Sequence, residues 1–96
     1  KLIVVLDDDI DLKDLSRVAW KVFNNIDAGR DLVLSPGPLD ALDHSSPQPR
    51  YGTRLGVDAT KKWPEEGHSR EWPAPLLMDS AIERLVDRRW KDYGFD

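Results

Sequence analysis

The chain has no cysteine and a single methionine among its 96 residues. That excludes a disulfide framework, a thiolate nucleophile and thiolate metal sites, and it fits a reducing compartment, with the cytoplasm as the default. No apolar run approaches the roughly 20 residues needed to span a bilayer, and Lys1 opens into a strand-like run rather than a signal-peptide pattern. A basic excess is missing too: 14 Lys and Arg stand against 18 Asp and Glu, for a net charge of -4. Nucleic acid is therefore not an expected partner, because no basic stripe is present to displace counterions from phosphates. The two histidines, His44 and His68, are 24 residues apart with no HExxH or His-x-His spacing. They are expected to be solvent-exposed rather than metal ligands or bases. Neither GxGxxG nor a P-loop occurs, Ser45 and Ser46 lack a strained nucleophile elbow, and internal repeats are absent.

What remains fits one small domain, which at this size buries only roughly 60 to 65% of the surface of its unfolded chain. The first residues already read like the middle of a sheet, so the chain is taken as the C-terminal part of something larger. Leu2 to Leu6 (LIVVL) is continuously apolar and β-branched, which predicts a central strand covered on both faces of a parallel α/β sheet. Asp7, Asp8, Asp9 and Asp11 follow. Their spacing does not match an EF-hand loop, so a cation site is the lesser reading and turn or capping roles the greater.

Asp11 is the expected N-cap of a helix through Ile26, with Leu12, Leu15, Val18, Ala19, Val22, Phe23 and Ile26 on its buried face and Trp20 off that face. Gly29 is expected to end that helix, and Leu32 to Ser35 to form a second strand. Four of the seven prolines fall between Ser35 and Pro49, which predicts an irregular loop that packs through Leu39 and Leu42.

Tyr51 to Pro73 holds half of the four tryptophans and three of the six glycines. It predicts a short strand from Thr53 to Val57, a turn at Asp58 to Thr60 and another at Pro64 to Gly67. Lys61, Lys62, Glu65 and Glu66 around Trp63 read as a surface turn whose charges contribute little individually. A capping box from Ser80 and Glu83 opens a last helix, Ala81 to Tyr93, closed by Gly94 and Phe95. The fold class is thus α/β: a layered sandwich with a small, mostly parallel sheet, a long irregular Pro/Trp-rich segment and a C-terminal helix. No acid, base, nucleophile and oxyanion set is present, so no catalytic or metal residue is assigned.

Three ordered segments, PLDALDHSSP at Pro38 to Pro47, GTRLGVDATKKWPEE at Gly52 to Glu66 and REWP at Arg70 to Pro73, resemble the C-terminal part of the UbiD family of decarboxylases. The likeness is to the 3-polyprenyl-4-hydroxybenzoate carboxy-lyases of ubiquinone biosynthesis in particular. VVLDDDIDLKDLSRVAW at Val4 to Trp20 resembles the strand, acidic turn and helix of the same domain. FNNIDAGRD keeps Arg30 and Asp31 of a helix end that usually reads T-R-x-x-P-x-R-D.

The resemblance implies reversible, non-oxidative decarboxylation of aromatic or α,β-unsaturated acids. It also implies prenylated FMN, manganese and potassium, held by upstream domains that this chain lacks, with a flavin prenyltransferase supplying the cofactor. It places Leu39 as a lid over substrate and flavin, and makes the chain alone inactive. Dimers or hexamers are implied, for which Trp90, Tyr93 and Phe95 are the candidate interface residues. The location implied is cytoplasmic or, for a polyprenylated substrate, peripheral to the inner membrane. The competing expectation is a stand-alone, non-catalytic assembly module with the same fold.

Overall fold

A computed structural model describes residues 1–95. Three strands, β1 (Leu2–Val5), β2 (Leu32–Pro38) and β3 (Tyr51–Asp58), form one sheet in the order β1-β3-β2. Helices α1 (Leu15–Asn25) and α2 (Ala28–Asp31) lie between β1 and β2, and α3 (Ser80–Arg88) follows the Trp-rich segment. The α/β class is as expected. Of the two pairings, β1 with β3 is parallel and β2 with β3 antiparallel.

β3 is the middle strand, not β1. Leu2, Ile3, Val4 and Val5 lie at one side of the sheet and are all exposed, Ile3 by 68%. A strand apolar on both faces records cover from two sides, and the described residues provide neither. β2 runs three residues past its expected end at Ser35 because its prolines suit a border strand. Leu39 donates its N–H to the Arg50 carbonyl at 2.9 Å, so in the register Pro36↔Thr53 and Pro38↔Tyr51 both prolines fall where an N–H would point away from the ladder.

The cap of α1 is Asp14, which accepts from the Arg17 N–H at 3.0 Å, and not Asp11. Asp11 instead closes the preceding turn by accepting from Lys13 N–H at 2.9 Å, which leaves Leu12 outside the helix. The expected buried face of α1 is only partly covered: Val18, Val22 and Ile26 are half-buried, while Leu12, Leu15 and Phe23 are 68%, 75% and 80% exposed. Gly29 does not end α1. It sits inside α2, where its N–H is capped by Asp27 at 2.9 Å.

At α3 the cap is Asp79, one residue before the expected Ser80, with its carboxylate accepting from Ala81 and Ile82. The helix stops at Arg88, and a 3-10 turn from Trp90 to Tyr93 ends on Gly94 at φ 80°. Glycine suits that left-handed position.

The core is nearly absent, with Ile10, Val57 and Ala59 the buried hydrophobic residues. The radius of gyration is 19.8 Å, against about 12 to 13 Å for a compact domain of this length. The accessible surface is 8297 Å², where a compact monomer of 11.0 kDa exposes about 5,600 Å².

Candidate functional site

Two regions are built with care in a chain that otherwise leaves its apolar groups open. The first surrounds Leu39. Arg50 takes a left-handed conformation, φ 61°, unusual for a residue with a side chain; the carbonyl of this residue accepts the Leu39 N–H and closes the Pro-rich loop between β2 and β3. The Leu39 side chain lies on bare backbone at Gly52: a Cβ there would meet Leu39 Cδ1 at 2.6 Å and Ser46 Cβ at 3.0 Å. Glycine inside a strand marks such a close approach. Leu39 is left half-buried at an open cavity of about 380 Å³ shared with Pro36, Ser46, Tyr51 and Thr53.

Below that loop, Asp43 accepts from the Ser45 hydroxyl and N–H at 2.7 and 2.9 Å. Lys1 sits 3.1 Å from its second oxygen and donates to the Ser45 hydroxyl. The Ser45 donors, with Lys1 beyond them, hold the Asp43 carboxyl down at about 2. This fixes the loop rather than activating Ser45, whose hydroxyl proton is already given to the carboxylate.

The second region joins the end of α1, α2 and the end of β3. Lys62, expected on a surface turn, is 4% exposed. Its ammonium donates to the carbonyls of Asp58 and Thr60 at 3.1 and 2.6 Å and lies 3.5 Å from Asp31 and 3.4 Å from Asp58 carboxylate oxygens. Asp31, 3% exposed, takes a two-pronged contact from Arg30, both N–O distances 2.7 Å, and the Asp27 N–H at 2.8 Å. The guanidinium, acting first through its hydrogen bonds, draws the Asp31 carboxyl from its ordinary 3.8 to about 2. The Thr60 hydroxyl lowers Asp58 in the same sense.

Around this cluster Asn25 donates to the Ala59 carbonyl at 3.1 Å, Asp7 accepts the Lys61 N–H at 3.1 Å, and the Trp72 indole donates to the Lys62 carbonyl at 2.9 Å. His68, expected in solvent, is half-buried and stacks on Trp72 at 4.7 Å. Every ion has a partner, the condition under which buried charge is tolerated. Arg30-Asp31 and Asp58-x-Thr60-x-Lys62 therefore meet in space, although 27 residues separate Asp31 from Asp58. A pairing over that distance gives no local signal; the Gly52 seat did give one, as a glycine in a strand.

Among the described residues no three His, Cys, Asp or Glu side chains come together as a metal site. Asp7, Asp11 and Asp14 are occupied with backbone N–H groups, as the capping reading expects. These residues do not fit a manganese or potassium centre. Trp90, Tyr93 and Phe95 are 45%, 44% and 58% exposed, with Trp90 stacked on Phe95 at 5.1 Å.

The family model for the 3-octaprenyl-4-hydroxybenzoate carboxy-lyase C-terminal domain matches residues 1–59, and the chain belongs to this UbiD family. It is 46% identical over 93 residues to an uncharacterized protein of Archaeoglobus fulgidus, covering 96% of this chain and 19% of that one. An uncharacterized protein of Aquifex aeolicus is 40% identical over all 96 residues, 20% of its length.

Among solved structures, the vanillic acid decarboxylase of Sedimentibacter hydroxybenzoicus in closed form superposes with a TM-score of 0.73. Identity there is 26%, over 100% of this chain and 20% of that one. The UbiD-class enzyme HmfF from Pelotomaculum thermopropionicum in complex with FMN gives 0.62 at 28% identity, over 91% of this chain and 19% of that one. The chain thus spans about a fifth of the relatives it matches.

Proposed function

We propose that the chain is the C-terminal domain of a prenylated-FMN-dependent, non-oxidative and reversible decarboxylase of aromatic or α,β-unsaturated carboxylic acids, of the 3-polyprenyl-4-hydroxybenzoate type. It walls the active site, supports oligomer assembly and is inactive alone. The observation that carries this is the open apolar surface: strand β1, the face of α1 and the arm of α3 all present groups that a separate body must cover. Upstream domains of the same polypeptide are that body, and they hold prenylated FMN, manganese and potassium. A flavin prenyltransferase supplies the cofactor. The enzyme works in the cytoplasm, at the inner membrane where its substrate is polyprenylated.

Within this reading Leu39 closes the nonpolar side of the substrate pocket. Its backbone is fixed by Pro38 and by the hydrogen bond to Arg50, and its side chain by Gly52. An apolar group pre-set in this way excludes water from the reacting acid at little entropic cost. Trp90, Tyr93 and Phe95 are the assembly anchors, aromatic groups being favoured at interfaces.

The test is Leu39→Ala in the full-length protein loaded with prenylated FMN. Turnover of a hydroxybenzoate or acrylic acid should fall about tenfold with an unchanged urea midpoint. A lowered midpoint with unchanged turnover would make Leu39 a packing residue. Bound flavin with no activity on either acid class would favour the non-catalytic module.

A further inference from the structure

The two borders of the sheet are not alike. On β2 the outward positions include Pro36 and Pro38, which offer no N–H, and this is how a true sheet edge is protected from further pairing. On β1 the carbonyls of Lys1 and Val5 accept from Leu55 and Ala59, both at 2.8 Å. Alternation then points the N–H and C=O of Leu2 and Val4 away from β3. That border has no proline and no charge within Leu2–Val5, and its side chains are apolar on both faces and exposed by 37% to 68%.

We propose that the sheet continues past β1, whose outer edge pairs with an apolar strand from the part of the polypeptide preceding this domain. This rests on the reading that the chain works joined to upstream domains. Length favours that occupant over a second copy, since the relatives are about five times longer than the matched region. A two-fold pairing of four-residue strands would bury far less than the roughly 1,200 Å² of a stable interface.

The experiment is residue-resolved amide hydrogen exchange on the full-length protein, comparing Leu2 and Val4 with Leu34, whose N–H points outward from β2. Leu2 and Val4 should exchange at least about a thousandfold more slowly than free amides, and Leu34 within about tenfold of them. Unprotected Leu2 and Val4 would overturn the proposal. So would protection that vanishes on dilution to the monomer, which would assign the edge to a second copy, and so would equal protection of Leu34. The readout needs no activity, so a protected edge in an inactive protein would refute the decarboxylase reading and leave this one standing.

Discussion

The junction around Lys62 and the C-terminal arm are opposite solutions to the same shortage of apolar core. At the junction, side chains from the end of α1, α2 and the end of β3 converge, and each buried charge is met by an opposite one or a carbonyl. In the arm, α3 packs mainly with its own following 3-10 turn. It leaves Ile82, Leu85, Trp90 and Tyr93 open, while Arg89 lies over the Tyr93 ring at 5.7 Å. The first region is finished within this polypeptide, and the second is left open, to be covered by a docking partner in the function proposed above. Stability and assembly should therefore respond to different substitutions.

Lys62→Met should show the largest effect, because it leaves Asp31 and the Asp58 and Thr60 carbonyls without their cation. A loss of about 3 to 5 kcal/mol in urea denaturation of the full-length protein is expected. A loss below about 1 kcal/mol would mean that water already serves these groups. Trp90→Ala should act on the arm alone, weakening association by about 2 kcal/mol in sedimentation while leaving the urea midpoint of the isolated protomer in place. A dropped midpoint with intact oligomers would reverse the contrast.

Acid should act on the junction, and likewise on the loop that Asp43 fixes. The Asp31 carboxyl in the folded chain lies at about 2, below its ordinary 3.8. Its contribution is therefore fully present above about pH 4 and is lost as pH falls toward 2. Urea midpoints at pH 5, 3 and 2 should decline in that window, and a rise would contradict the ion-pair geometry. Asp79→Ala, the smallest change, removes the cap of α3 at a cost of about 1 kcal/mol. Circular dichroism should register lost helix with the junction unaffected.

Much of the fold was legible where the cause is local. Strands followed from LIVVL and from TRLGV, and the turn at Pro64 to Gly67 from a glycine that takes φ 88°, whereas the last helix stops at Arg88, short of the Gly94 expected to close it. Burial was not legible, because the apolar rhythm of α1 marks a face without fixing what covers it. Leu15 and Phe23 keep that rhythm while standing open here. Caps shifted from Asp11 to Asp14 and from Ser80 to Asp79 because several acidic or hydroxyl residues compete near each helix start. Lys62 departs from its expected surface turn because a lysine pair beside a turn looks solvated, and its partner Asp31 lies 31 positions earlier in the sequence. The lid role proposed for Leu39 rests on family likeness alone, whereas the glycine that seats its side chain is visible in the fold.

The ion-paired junction also has a consequence for behaviour on heating. Removing charges from water becomes less unfavourable as temperature rises, whereas the gain per area of buried hydrocarbon levels off. The buried cluster of Arg30, Asp31, Asp58 and Lys62 should thus hold on heating better than an apolar contact of the same size would.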